Sequence, residues 1–185
     1  MKIIALVILY LLTGCLALQS QNKYFTKTGM VSFFSVAPLE DIEARHRSVT
    51  AILDTKSATL QFMLLVNGFE FDKELMQEDF NEDYMQSGKF PKSEFKGQVV
   101  NNTAIAYSKD GENPARVKGM LTIHGETKEM EATGKITIKQ GRIIITAVFN
   151  ILLSDYNVPV SKLVKDKISN KVKITLEASL DPLKN

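Results

Sequence analysis

Cysteine is nearly absent from this 185-residue chain: Cys15 is the only one. A single thiol near the N-terminus leaves the rest of the chain no internal disulfide, and with only two histidines there is little material for a zinc site. Tryptophan is missing and the five tyrosines do not fall at the ends of alternating segments, so the aromatic girdle of an outer-membrane barrel is not there. Neither sign of charge is in excess. The 23 Lys and Arg against 21 Asp and Glu give +2, which speaks against nucleic acid, whose partners carry a clustered basic face. No glycine-rich phosphate loop, paired-carboxylate spacing or Ser/His/Asp arrangement stands out. The chain therefore reads as a binding protein rather than an enzyme, and no cofactor is expected. There is no internal repeat, and one domain is the default for this length, long enough to bury a core without staples.

The first stretch lies outside the fold. Met1-Lys2 is a minimal basic start and residues 3–12 form an apolar run. This matches a secretory h-region and is shorter than the roughly 20 residues a spanning helix needs. Leu12-Thr13-Gly14-Cys15 resembles a bacterial lipobox, with Cys15 as the candidate for lipidation; ordinary cleavage near Ala17 or Ser20 is the alternative. Residues 1–20 are expected to be a signal peptide and residues 21–185 the mature barrel domain. The protein is expected to be exported to the periplasm or cell envelope, touching the membrane only through an anchor at Cys15.

What the chain has in abundance is apolar/polar alternation. In residues 171–180, Val172, Ile174, Leu176, Ala178 and Leu180 share one face, and Lys171, Lys173, Thr175, Glu177 and Ser179 the other. A period of two is a strand with one dry and one wet face. Further strands are expected at 29–36, 48–53, 58–66, 93–100, 115–124, 127–139 and 142–153. Turn signals separate them at 54–57, Asn101-Asn102, 109–114, His124-Gly125 and Gln140-Gly141. A polar segment is expected at 41–47, and a long connection over 154–170 with one helical turn at 162–168. Residues 71–80 read as one short amphipathic helix with Asp72 at its N-cap. Leu75, Met76, Phe80 and Tyr84 make its apolar stripe, and Glu74, Glu78, Asp79 and Glu82 its wet side.

About eight mostly antiparallel strands make an all-β fold, a closed barrel whose interior either packs solid or holds one slim ligand. Dense charge on the polar faces, such as Glu129, Glu131 and Lys135, would crowd so narrow a lumen, so the apolar faces are expected to point in.

Several segments resemble the YceI-like family. Gly119-Met120-Leu121-Thr122-Ile123-His124-Gly125-Glu126-Thr127-Lys128 is similar to its G-x-L-T-I-H-G-x-T-K/R signature. Phe69-Glu70-Phe71, followed by residues 75–81 and Tyr84-Met85, is similar to its helix segment. Lys89-Phe90-Pro91 with Phe95-Lys96-Gly97 is similar to its K-[YF]-P-x-x-x-F-x-G element, and Asp155-Tyr156 fits its late loop. The matches lie in order and span most of residues 28–182. The resemblance implies a lipocalin-like antiparallel barrel that binds an amphiphilic polyisoprenoid or other long-chain lipid. It leaves oligomeric state open, with a homodimer as one candidate, and it implies a structural role for His124, such as hydrogen bonding its turn.

A prenyl chain has no hydrogen-bonding groups, so a dry aliphatic and aromatic tube suffices to hold it. At about 0.3 kcal/mol per heavy atom, one five-carbon unit adds roughly 1.5 kcal/mol, or tenfold in affinity, so depth selects chain length. The expected lining is Phe34, Phe62, Leu64, Phe69, Phe71, Met76, Phe80, Ile123, Ile136, Val148 and Leu176. The competing expectation is a filled core, leaving a structural or interaction module of the cell envelope. Asp79, Glu82 and Asp83 read as a solvated helix face rather than a metal site. His46 between Arg45 and Arg47 reads as an exposed basic loop, with pairing to a diphosphate head group as the alternative. Asp155-Tyr156 would tie the late loop to the barrel, with Tyr156 also in reach of a ligand's head.

Overall fold

The computed structural model describes residues 22–36, 41–159 and 170–183. The signal segment, Cys15 and the helical turn expected at 162–168 lie outside the described residues. Among the described residues nine strands follow one another: β1 (Lys23–Ser35), β2 (Ile42–Asp54), β3 (Thr59–Leu65), the two-residue β4 (Glu70–Phe71), β5 (Lys92–Val99), β6 (Gly111–Ile123), β7 (Glu126–Lys139), β8 (Arg142–Leu152) and β9 (Lys171–Pro182). Eight of them form one antiparallel ring in the order β1-β9-β8-β7-β6-β5-β3-β2, closed by pairing of β1 with β2. β4 adds a short rung to β2, with Ala44 opposite Phe71.

Local chemistry explains the tight connections. His124 and Gly125 have φ of 51° and 77°, and Gln140 and Gly141 have 52° and 77°. Two consecutive left-handed residues make the hairpin turn whose twist suits antiparallel strands. Between β2 and β3, Asp54 Oδ1 accepts the N–H groups of Lys56 (2.9 Å) and Ser57 (3.1 Å), a side-chain-closed turn.

Three strands start earlier than their alternation announces: β1 at Lys23 rather than at 29, and β2 and β6 likewise. Most of the polar segment expected at 41–47 is the first half of β2, with Ile42 to His46 paired to β1. The loop expected at 109–114 opens β6, with Gly111 opposite Ile138. β5 ends its pairing at Val99 and Val117, so Pro114, which has no N–H to give, sits where β6 has lost that neighbour. Asn101 takes the vacated place: its Oδ1 accepts the Arg116 N–H (2.8 Å) and its Nδ2 donates to the Pro114 carbonyl (2.9 Å).

Register shifts between Thr26, Gly29 and Val31 interrupt the β1–β2 ladder. Each shift turns the following side chains to the other face. On β2 the buried positions are Ala44 and His46 before the shift, then Val49, Ala51 and Leu53 after it.

The core is concentrated toward the end of the ring that carries the β2–β3 and β7–β8 turns. Leu53, Leu60, Val99, Ile138, Ile143 and Leu180 are buried there. Ile105 and Tyr107, from the segment between β5 and β6, pack onto the same cluster. Tyr107 donates to Asn102 Oδ1 (2.7 Å), and Asn102 Nδ2 donates to the Thr55 carbonyl (2.8 Å), tying this plug to the β2–β3 turn.

The opposite end carries β4, a helix and a 3₁₀ turn at Leu153–Tyr156. The helix, α1 (Glu74–Asp79), is shorter than expected. Lys73 occupies its N-cap without a side-chain bond, and Asp72 does not cap it. It runs into one π turn (Phe80–Tyr84), where the Met85 N–H reaches the Phe80 carbonyl at 2.8 Å.

Candidate functional site

A cavity of about 370 Å³ occupies the half of the barrel nearest α1. It is lined by inward residues of the ring, among them Val31, Phe33, Leu60, Phe62, Leu64, Phe95, Leu121, Met130, Ile136, Ile145, Phe149, Ile174 and Leu176. Met76, Phe80 and Tyr84 enter from α1 and the π turn, and Tyr156 and Val158 from the segment after β8. The interior is therefore not packed solid over this half. The ion pairs lie on the outward face, such as Lys118 with Glu129 (2.7 Å) and Arg142 with Asp181 (2.6 Å), which sets the apolar side inward.

Four phenylalanines gather where the ring meets α1. Phe33 and Phe80 stack at 5.5 Å, Phe69 meets Phe33 edge-on at 5.2 Å, and Phe71 lies 5.0 Å from Phe80. They come from β1, the turn after β3, β4 and the π turn, so the short rung of β4 on β2 holds this wall in place. Asp79 is exposed and also borders the cavity, so a charged group in contact with water stands at its α1 side. Tyr84 borders it as well, and burial, helped by the negative charges of Asp79 and Asp83, pushes its hydroxyl above the usual tyrosine value. Glu94 and Lys135 also border the cavity, but their charges are engaged with Lys96 and Glu112, each at 2.8 Å.

Of the residues expected to line the interior, Phe62, Leu64, Phe69, Phe71, Met76, Phe80, Ile123, Ile136 and Leu176 border the cavity. Phe34 and Val148 do not. Phe34 points out, with Lys173 Nζ 5.6 Å from its ring centre, and Val148 is 59% exposed. Their chain neighbours Phe33 and Phe149 line the cavity instead. Both errors have one cause: Phe33-Phe34 and Ala147-Val148-Phe149 are apolar on both parities, so alternation names no inward face. The bulge near Gly29 further disconnects β1's second half from the parity of its first.

On the helix, Leu75 was expected in the apolar stripe but is 68% exposed. Asp79, Glu82 and Asp83, expected on the wet side, are exposed, and Asp79 also borders the cavity. Among the described residues no group of three or more His, Cys, Asp or Glu is placed to hold a metal. Phe95 was within reach of sequence reasoning, since it is the central aromatic of the K-F-P-x-x-x-F-x-G element.

His46 is not part of an exposed loop. It is a β2 residue, 3% exposed, with Phe69 edge-on at 5.3 Å. Nδ1 accepts the Ser48 N–H (3.1 Å), so the proton sits on Nε2, which donates to the Leu65 carbonyl (3.0 Å). Burial holds its pKa below the usual histidine value, against the raising effects of the Leu65 carbonyl and the Glu70 charge. A Cβ on Gly68 would collide with this ring, which accounts for glycine there. Arg45 and Arg47 point out and pair with Glu43 (2.8 Å) and Glu70 (3.4 Å), so the three residues form no phosphate cradle.

His124 is buried in its turn with Phe90 edge-on at 4.5 Å. Its ring nitrogens have no hydrogen-bond partner among the described residues, so it holds the turn by packing rather than by the expected hydrogen bond. Tyr156 is buried, and burial, with the Asp155 charge, raises its pKa. It packs with Val66, Met85 and Val158, which ties the segment after β8 to the α1 end.

The YceI-like domain model matches residues 23–180. Among solved structures, a polyisoprenoid binding domain from Saccharophagus degradans implicated in plant cell wall breakdown superposes with a TM-score of 0.77. It shares 12% identity over 88% of this chain and 99% of its own. BcnA of Burkholderia cenocepacia gives 0.68 at 19% identity, over 82% of this chain and 95% of its own. The Campylobacter jejuni YCEI protein gives 0.55 at 18%, over 77% and 85%. At these identities the likeness is one of fold. The chain matches no curated protein sequence.

Proposed function

Because the chain belongs to the YceI-like domain family, we propose that it is an exported binding protein that holds the tail of an amphiphilic, polyisoprenoid-like lipid inside its barrel. The observation that carries this reading is the 370 Å³ apolar cavity that α1 borders. A hydrocarbon tail there replaces contact with water by contact with Phe33, Phe69, Phe80 and the aliphatic strand residues. The polar head stays at the opening, near Asp79 and Tyr84. The function proposed is carriage or sequestration of the lipid. Residues 1–20 support export, and Cys15 would anchor the protein if it is lipidated. The structural neighbour described as a polyisoprenoid binding domain is consistent with this reading.

Native mass spectrometry of protein taken from the envelope fraction of its host tests it. An apolar adduct that organic extraction removes, and that added prenol restores, is expected. Protein that is clean on isolation and takes up no prenol or alkyl chain would overturn the proposal.

A further inference from the structure

The cavity has a floor. Leu60 and Ile136 line it and are 1% and 0% exposed. Leu53, Val99, Ile138, Ile143 and Leu180 are buried in the same core cluster and do not line it. Ile105 and Tyr107 plug the end of the ring below them. A tail entering beside α1 therefore stops at Leu60 and Ile136 and cannot thread the barrel.

Volume then sets a length. A dry cavity of about 150 Å³ takes one benzene, six carbons. At that occupancy 370 Å³ takes roughly fifteen carbons. Granting that the cavity takes a lipid tail, as proposed above, we infer that it is built for a tail of about three isoprene units, and that Leu60, Ile136 and Ala115 set this limit. Ala115 lines the cavity and is buried on β6, so a larger side chain there shortens the space from the wall. Units beyond the third remain at the opening or in water and add little. The opening carries the Asp79 carboxylate, and the nearby Arg45 and Arg47 are engaged outside with Glu43 and Glu70. Uncharged prenols are therefore the right probes.

The test is a ladder of all-trans prenols of ten, fifteen, twenty and forty carbons, each displacing Nile red from the delipidated protein. The dissociation constant should fall about tenfold from ten to fifteen carbons and by less than about threefold over all longer chains. Leu60→Ala should move the break upward, so that the twenty-carbon prenol gains severalfold over the fifteen. If that variant does not fold, Ala115→Leu should move the break downward and erase the advantage of fifteen over ten. A steady tenfold gain per unit up to forty carbons would overturn the length limit and leave lipid binding standing, as would variants that leave the break in place. Failure of every prenol to displace the dye, with no uptake by mass spectrometry, would overturn the lipid-binding reading itself and the limit with it.

Discussion

Phe33 and Phe34 are adjacent, identical and opposite in role. Phe33 contacts Phe69, Phe71 and Phe80 in the wall of the cavity, whereas Phe34 lies outside under Lys173. Phe33→Ala should destabilise the fold by about 2 kcal/mol, below the 3–5 of a fully enclosed phenylalanine because its wall is partly empty. Phe34→Ala should cost less than about 1 kcal/mol. Urea unfolding of both variants measures the difference, and equal losses would contradict the assigned faces. Nothing in Phe33-Phe34 itself announces this asymmetry; it follows from where the β1–β2 bulge falls.

His46 gives the residue scale a pH signature. Burial depresses its pKa in the fold below the ordinary 6.5, so on acidification the unfolded chain takes up the proton first. Stability contributed here is complete above about 6.5 and declines as pH falls from there, until the folded ring also protonates. A protonated Nδ1 can no longer accept the Ser48 N–H. The melting temperature should drop between pH 7 and 5 more steeply in the wild type than in His46→Gln, which keeps a donor for Leu65 without titrating. Parallel profiles would count against the role given to His46. The sequence advertised a basic triplet, Arg45-His46-Arg47, and hid the burial of its middle member, because alternation puts 46 inside only once 41–47 is known to be strand.

At the scale of the element, the hairpins and the helix differ in how openly the chain declares them. Gln140-Gly141 and His124-Gly125 read as turns from composition, and the two positive φ values at each explain why. A Cβ at Gly141 meets nothing within 4 Å, while one at Gly125 would press on Phe90 at 2.6 Å. Gly141→Ala should therefore cost about 1 kcal/mol from backbone strain alone, and Gly125→Ala clearly more. Chemical denaturation distinguishes them, and a larger loss at Gly141 would sink the packing role of the His124–Phe90 contact. The helix was legible as an element but not in its phase. Six residues of α1 followed by a π turn put Met76, Phe80 and Tyr84 on the cavity and leave Leu75 in water. A stripe drawn on uniform α geometry takes both Leu75 and Met76.

For the whole molecule, ligand binding and stability are linked. A tail that binds only the folded barrel at a hundred times its dissociation constant adds about 2.7 kcal/mol, which for a chain of this size is a rise of roughly 5–10 °C in melting temperature. A thermal melt of the delipidated protein with and without farnesol should show it, and the shift should shrink in Phe33→Ala, whose wall is damaged. No shift at saturating prenol would speak against occupancy of the barrel.

What the chain determined unaided is the class of its fold and the sign of its faces. A period of two repeated over most of the length, with charge on one side only, demands strands that hide the other side, and closure of an eight-stranded ring is the economical way to hide it. The family motifs agreed and added order. What the chain alone did not decide is which of two neighbouring apolar residues turns inward where both parities are apolar, and whether the enclosed space is full. Both are properties of the closed ring. Inward parity depends on the register each strand takes with its partners and on where a bulge breaks it. Hollowness depends on the sum of inward side-chain volumes against the girth of the barrel, and neither sum nor girth has a period that a sequence can show.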